Sequence, residues 1–179
     1  VLIGRDLTRG LGAGGHAKIG SEAAKEAMQE IKDVLKDADM VFVVAGMGGG
    51  TGTGAAPVVA KIAKETGAIV IGTVTMPFSL ERARIDKAEF GLQELRQVSD
   101  SVIVIDNNRL VSIAGNLPIQ QAFAVANELI STMIRGIVET IAVPSLVNLD
   151  YADVRAIMTD CGVCSIGVGE SNTDHKVDE

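Results

Sequence analysis

The most chemically informative feature of the chain is a run of seven residues made only of glycine and threonine. It reads GGGTGTG at positions 48–54, between an apolar run at 40–45 and a helical pattern that begins at Ala55. A helix start offers unpaired N–H groups and a partial positive charge, which together suit a phosphate group. Glycines let a ligand approach the backbone closely, and the hydroxyls of Thr51 and Thr53 can add donors. The loop therefore predicts binding of a phosphorylated ligand.

Two better-known phosphate loops do not match this run. A P-loop needs a lysine before its final Ser or Thr, and the run contains none. The spacing G-x-G-x-x-G does occur at Gly10, Gly12 and Gly15, but no clear strand precedes it. The remaining alternative is a merely flexible connection, which an uninterrupted Gly/Thr composition at a helix start disfavours.

The elements around the loop follow from hydrophobic periodicity and from the positions of breakers. Ser21 is the expected cap of the first long helix, and Pro57 is expected in the first turn of the next. The alternation of strands and helices predicts an α/β fold with a parallel sheet covered on both faces. The predicted elements in chain order are a helix at 21–36, a strand at 40–45, a helix at 55–66, a strand at 68–74, a helix at 81–98, a strand at 101–105, a long helix from about 118 to 143, a short helix from about 151 to 159 and a strand at 163–168.

Composition excludes several classes of function. Of the 179 residues, 47% are hydrophobic and 22% are charged, which is typical of a folded protein. The net charge of −7 and the absence of a Lys/Arg run argue against a nucleic-acid partner. No apolar stretch approaches the roughly 18 residues of a membrane span, so direct membrane insertion is not expected. Two cysteines make no disulfide framework, which favours a reducing cytoplasm.

Several further motifs occur in a fixed order around the glycine loop. The chain reads LTRGLGAGG before the loop, and PF, NNRL, AFAVANEL, NLDYADVR and IGVGES after it. Together with GGGTGTG, this series resembles the FtsZ/tubulin family, whose bacterial and archaeal FtsZ members carry the same loop spelling. The resemblance covers almost the whole chain. It implies a three-layer, Rossmann-like GTPase domain with a mostly parallel sheet, followed by the long central helix and the start of a second domain.

The resemblance also implies domain boundaries and an incomplete domain. The GTP-binding domain is expected at residues 1–143, with its central helix at about 118–143, and the second domain begins within 144–179. Relative to the family, the chain lacks the first strand with its own glycine-rich loop and covers only the middle of a typical FtsZ. The chain begins with Val1, not Met, so a fragment with impaired activity is expected.

The resemblance assigns a nucleotide contact to each matching motif. Glu81 and Arg84 match a Glu and an Arg that contact the nucleotide, although one residue fewer separates them than in the family, and Arg82 remains the alternative. Asn107 matches an Asn after the third strand, where Asp106 replaces the family's usual Pro. The phosphate cradle is expected at Gly48, Gly49, Gly50, Thr51, Gly52 and Thr53, with a second loop near the terminal phosphate at Gly12, Ala13 and Gly14.

The base and the catalytic groups are assigned in the same way. Phe123 and Asn127 lie four apart on one helix face, where the family stacks guanine and hydrogen-bonds its edge. Asp150 and Asp153 match the loop that in the family enters the nucleotide site of the next subunit and positions the attacking water. An acid at a helix start can also act as a cap, and both roles are compatible.

The resemblance implies a GTP-hydrolysing cytoskeletal protein that binds GTP/GDP and Mg²⁺. It would polymerise head to tail with itself, act with cell-division proteins and lie in the cytoplasm at the division site. A GTP-binding regulator that does not polymerise, and a Rossmann oxidoreductase, are the alternatives. Cys161 and Cys164 form a C-x-x-C pair between a predicted helix and strand, a context that favours inert thiols over redox or zinc chemistry.

Overall fold

A computed structural model describes residues 1–109, 119–142 and 151–158 of the chain, in which strands and helices alternate from β1 to β3. The elements in chain order are α1 (Arg5–Thr8), α2 (Ala17–Glu26), α3 (Met28–Leu35), β1 (Met40–Gly46), α4 (Thr51–Glu65), β2 (Ile69–Met76), α5 (Arg82–Val98), β3 (Ser101–Asp106), α6 (Ile119–Ala142) and α7 (Tyr151–Met158). The predicted strand at 163–168 and the cysteine pair lie outside the described residues.

The three described strands form one parallel sheet in the order β1-β2-β3. Met40 of β1 lies opposite Ile69 of β2, and Ile71 of β2 lies opposite Ser101 of β3. The predicted parallel sheet is confirmed. Because parallel strands end at the same edge, the segments that follow β1, β2 and β3 converge there.

Both faces of the sheet are covered by helices. On one face, Val70 and Val74 are fully buried against alanines of α4 and against Leu95 of α5. On the other face, Ile69 and Ile71 pack against α7, and Ile105 packs against α6. Small alanine side chains let α4 approach the strands closely, so a core almost without aromatic residues is still dense. The layers agree with the predicted fold class.

The region predicted as one helix at 21–36 forms two helices. They meet at Ala27, whose backbone angles of φ −96° and ψ 18° are not helical. Ser21 lies inside α2, which begins at Ala17 after His16, so the prediction that Ser21 caps this helix was wrong. No Gly or Pro lies at the break, and the apolar spacing continues across it, so the sequence pattern carries no sign of it.

Helix α4 begins earlier than predicted, inside the glycine loop. Its first residue is Thr51, and Gly50 is the N-cap. Pro57 is therefore the seventh residue of α4, beyond the first turn in which it was predicted. Four Gly and Thr residues thus adopt helical geometry although both residue types are weak helix formers. Close packing of α4 against α2 and β1 outweighs that propensity.

Candidate functional site

The glycine loop joins β1 to α4 and is shaped by one buried hydroxyl. Gly48 has φ +96°, a backbone conformation that residues with a side chain rarely adopt. Its N–H donates to Oγ1 of Thr53 at 2.9 Å, and Thr53 is only 2% exposed. The Thr53 oxygen therefore serves the loop itself, whereas the exposed Thr51 leaves its hydroxyl accessible to a ligand.

One side of the glycine loop is open. A Cβ atom built on Gly49 would meet nothing within 4 Å, and the same is true of Gly14 and Gly15. The first N–H groups of α4 have no acceptor within the helix. Backbone donors on this side of the loop are therefore sterically accessible to an anionic group.

The second glycine segment, residues 12–15, packs directly against the start of α4. A Cβ atom on Gly50 would lie 2.8 Å from Cβ of Ala13 and 2.8 Å from the backbone N of His16. A Cβ atom on Gly12 would lie 4.0 Å from Oγ1 of Thr51. The structure thus joins two segments that no sequence pattern links, and a glycine at position 50 is what permits this contact.

The segment between β2 and α5 brings Glu81 and Arg84 to the glycine loop. Glu81 accepts the N–H of Phe78 through Oε1 at 3.2 Å and pairs through Oε2 with the Arg84 guanidinium. A Cβ atom on Gly48 would lie 3.1 Å from the backbone oxygen of Arg84. Arg84 therefore adjoins the loop through its backbone and Cβ, whereas Arg82 is the first residue of α5; both arginines are exposed.

The end of β3 presents two asparagines in different environments. Asn107 is 7% exposed, and its Oδ1 has no hydrogen-bond partner among the described residues. Asn108 accepts hydrogen bonds from the N–H and the hydroxyl of Ser79, each at 2.9 Å. Oδ1 of Asp106 in turn accepts from the Asn108 backbone N–H and from its Nδ2, each at 2.8 Å. Asp106, which departs from the family pattern, thereby holds Asn108 in place.

Helix α6 places Phe123 and Asn127 one turn apart, and both are exposed. The Phe123 ring contacts the ring of Phe78 with centroids 5.7 Å apart. Phe78 belongs to the segment that carries Glu81, so the contact brings α6 beside that segment. This is the only direct ring contact among the described residues.

Asp153 lies at the opposite edge of the sheet. It is exposed in the first turn of α7. The next residue, Val154, packs against Ile69 and Ile71, and Nη2 of Arg155 donates to the Gly67 oxygen at 2.9 Å. These contacts are at the start of β2, and a rise of about 3.3 Å per residue puts that end about 23 Å from the other. Asp150 lies outside the described residues.

Neither metal clusters nor membrane helices occur among the described residues. No group of three His, Cys, Asp or Glu side chains is placed to hold a metal ion in that part of the chain. Within the same residues, no helix combines the length and the apolar character needed to cross a bilayer.

The fold is that of an α/β protein, with a glycine-rich loop that is open on one side at the carboxyl edge of a parallel sheet. The sequence model described as "Tubulin/FtsZ family, GTPase domain" matches residues 1–115, which is more than half of the chain. The chain belongs to the Tubulin/FtsZ family.

Two archaeal proteins with the name FtsZ are similar to this chain. The chain is 57% identical over 178 residues to "Cell division protein FtsZ 2" of Methanocaldococcus jannaschii, covering 99% of this chain and 47% of the relative. It is 58% identical over 179 residues to "Cell division protein FtsZ 2" of Halobacterium salinarum, covering 100% of this chain and 46% of the relative. The solved structure of an empty FtsZ dimer from M. jannaschii matches with a TM-score of 0.82 and 51% identity, covering 88% of this chain and 46% of that one. The chain thus spans about half the length of these relatives.

Some residues of the site were missed by sequence reasoning. Phe78 stood in the PF motif but had no assigned role, and Lys87, whose Nζ donates to the Gly15 oxygen at 3.0 Å, belonged to no motif. A single lysine on a mixed-charge helix face carries no pattern that marks it. Contacts between segments 72 residues apart become visible only in the folded chain.

Proposed function

We propose that the chain binds GTP or GDP at the carboxyl edge of its sheet. The open side between the glycine loop and residues 12–15 would take the phosphates, with backbone N–H groups and the Thr51 hydroxyl as donors. Membership in a family whose matched domain is called a GTPase domain supports guanine nucleotides. Phe123 and Asn127, both exposed on α6, would contact the base.

Three other side chains would complete the nucleotide pocket. Arg84 beside Gly48 would contribute positive charge, and Glu81 would orient Arg84 through their ion pair. Asn107 would use its unpartnered Oδ1 as an acceptor for a donor group on the nucleotide. A buried acceptor without a partner costs free energy unless a ligand or water satisfies it, which favours a binding role.

Hydrolysis, in this proposal, uses an active site shared between two copies. The observation that carries it is the packing of α7, which contains Asp153, near the start of β2, whereas the glycine loop lies at the other end of the strands and β2 is about 23 Å long. One chain cannot bring both to the same phosphate. A head-to-tail neighbour can, and Asp150 and Asp153 of that neighbour would then position and polarise the attacking water.

Mg²⁺ would be held mainly by phosphate oxygens and water. The described residues offer no cluster of carboxylates for it, and the Thr53 oxygen already accepts the Gly48 N–H. Such a site fits an ion that keeps several waters and binds through a nucleotide. When bound, the ion would neutralise charge that develops on the phosphates.

Head-to-tail contacts that do not close produce filaments. One matched structure is an FtsZ dimer, and the matched relatives carry the words "cell division" in their names, which supports self-association for division. A cytoplasmic location at the division site and contacts with other division proteins belong to the same proposal. Residues 1–143 would then be the GTP-binding domain, and 144–179 would begin a second domain.

Complementation between two inactive variants tests the shared site. Asp153→Asn should bind GTP but not hydrolyse it, and Gly49→Asp, which puts a negative charge on the open side, should not bind GTP. Both are made in the protein as its gene encodes it, with Glu30→Gln as an exposed acid-to-amide control. A mixture of the two variants should regain part of the GTPase activity. At a contact between one copy of each variant, the intact glycine loop of Asp153→Asn can meet the intact Asp153 of Gly49→Asp.

Two results would contradict the proposal. No recovery on mixing, together with wild-type activity per molecule that does not depend on protein concentration, would place the whole site in one chain. GTP binding without a GTP-dependent rise in light scattering would instead favour the non-polymerising regulator.

A further inference from the structure

One face of α5 contacts both glycine segments of the site. Arg84, Lys87 and Gly91 are spaced by three and four residues, so they lie on the same side of the helix. The Arg84 backbone adjoins Gly48, and a Cβ atom on Gly91 would lie 2.4 Å from the methyl carbon of Thr53. The glycine loop therefore packs against α5, and this contact helps to fix the position of the loop.

Lys87 extends this support to the second glycine segment. Its Nζ donates to the backbone oxygen of Gly15 at 3.0 Å. Gly15 adopts φ +78° and directly precedes His16, whose N–H donates to Ala13 at 2.9 Å. The Lys87 ammonium is thus hydrogen-bonded to the end of a tight turn, and this turn packs against the start of α4. It also adds a positive charge next to the open side of the cradle.

We propose that Lys87 is a positioning residue, which holds residues 12–15 against the start of α4 and thereby favours a nucleotide with a terminal phosphate. This role rests on the proposed function, in which residues 12–15 lie near that phosphate. A third phosphate brings more negative charge towards the Lys87 side of the cradle, so loss of the ammonium should weaken GTP more than GDP. Because Lys87 is exposed, solvent screening keeps the effect moderate.

If Lys87 only made the surface more soluble, the effect of its replacement on nucleotide affinity would be different. Its removal would leave both nucleotides and the segment at 12–15 unchanged. A lysine that only stabilises the fold would weaken both nucleotides equally. The ratio of GTP to GDP affinity and the local dynamics of residues 12–16 separate these possibilities.

The first measurement compares nucleotide affinities in the protein as its gene encodes it. Lys87→Met removes donor and charge at similar length, Lys87→Arg keeps both, and Arg96→Met is the control about two and a half turns further along α5. Titration with fluorescent GTP and GDP should show about a 3- to 10-fold loss for GTP in Lys87→Met and less than about a 2-fold loss for GDP. Lys87→Arg and Arg96→Met should stay within about 2-fold of wild type for both. Equal losses for GTP and GDP, or no loss, would overturn the inference.

The second measurement needs no nucleotide. Amide hydrogen exchange of Gly14, Gly15 and His16 should be faster in Lys87→Met than in wild type and Arg96→Met, with unchanged exchange in the strands. Unchanged exchange at 14–16 would overturn the positioning role even where GTP binds normally. If wild type itself binds no GTP, the proposed function fails, and exchange alone decides whether Lys87 holds the segment.

Discussion

The ring of Phe78 packs edge-on against the ring of Phe123, with centroids 5.7 Å apart and planes at 63°. Phe78 follows β2 in the segment that carries Glu81, whereas Phe123 lies in the first half of α6, the helix that carries Asn127. The contact fixes the orientation of Phe123 while its side chain stays 45% exposed. A single edge-to-face partner covers at most one face of a ring, so a π face of Phe123 stays available for stacking.

Phe123→Ala should therefore weaken guanine nucleotide binding with little effect on folding. Stacking of a base on an aromatic side chain contributes about 1–3 kcal/mol, so a loss of about 5-fold or more in affinity is expected. Phe123→Tyr keeps the ring and should retain most of the affinity. Titration with fluorescent GDP measures the change, and thermal melting shows that the variants are folded.

Phe90→Ala is the matched control for this stacking role. Phe90 is 59% exposed on α5 and borders a groove of about 600 Å³ formed by α2, α4 and α5. The Phe90→Ala variant should bind nucleotide with the affinity of wild type. Equal loss of affinity in Phe90→Ala and Phe123→Ala would show that exposed aromatic area in general, and not the position of Phe123, is responsible.

A second prediction concerns the contact between the two glycine segments. A methyl group on Gly50 would approach Ala13 Cβ and His16 N to 2.8 Å, so Gly50→Ala should force residues 12–15 away from α4. Overpacking of this kind typically costs about 1–3 kcal/mol. Chemical denaturation should show a loss of stability of that size, even though Gly50 has φ −86°, which alanine adopts without strain.

Gly49→Ala, at the neighbouring position, separates an effect on folding stability from an effect on nucleotide binding. Its Cβ would meet nothing within 4 Å, so the free energy of unfolding should stay within about 0.5 kcal/mol of wild type. The same methyl group projects to the open side of the cradle, where it should lower nucleotide affinity. Normal affinity together with normal stability would place the phosphates elsewhere.

The order of elements was predictable from the sequence because buried parallel strands leave unbroken apolar runs. MVFVVA and SVIVI are short, rich in Val and Ile and bounded by breakers, and each lies in a strand of the structure. The glycine loop was predictable for a related reason, since few other structures use so many glycines in succession. Both signals are local in the chain.

The contacts that assemble the site were not predictable because they join distant segments. Nothing in the spelling of residues 12–15 indicates that they pack on Gly50, and nothing marks Lys87 as their hydrogen-bond donor. The early start of α4 was missed because Gly and Thr have low helix propensity, which tertiary packing overrides here. The family resemblance named residues for the site, whereas their mutual distances required the fold.

The third prediction concerns the hydroxyl that shapes the glycine loop. Thr53→Val removes the acceptor of the Gly48 N–H and leaves that buried donor unpaired, at a cost of about 1–3 kcal/mol. Thr53→Ser keeps the acceptor and loses only a methyl group. Amide exchange at Gly48 should therefore accelerate in the valine variant and stay slow in the serine variant. Acceleration in the serine variant but not in the valine variant, which keeps the γ-methyl group, would show that the methyl packing against Gly91 holds the loop.

The last prediction contrasts two buried oxygens that lack partners among the described residues, one at the site and one in the sheet. Asn107 lies at the end of β3, where the proposed pocket would satisfy its Oδ1. Asn107→Leu replaces the amide by an apolar group of similar shape, so no hydrogen bond to Oδ1 is lost in the unliganded protein. Stability should change by no more than about 1 kcal/mol, while nucleotide affinity should fall by about 10-fold, the value of one hydrogen bond.

Thr73 provides the comparison, because its Oγ1 is equally unpartnered but its side chain is fully buried within β2. Thr73→Val is nearly isosteric and removes an unsatisfied polar atom from the interior, so it should raise the free energy of unfolding by about 1 kcal/mol. Nucleotide affinity should not change, since Thr73 lies three residues before the end of its strand. Denaturant unfolding and GDP titration measure the free energy of unfolding and the nucleotide affinity of both variants. A loss of affinity in Thr73→Val as large as in Asn107→Leu would show that the pocket responds to any change in the sheet, and Asn107 would then have no specific role in binding.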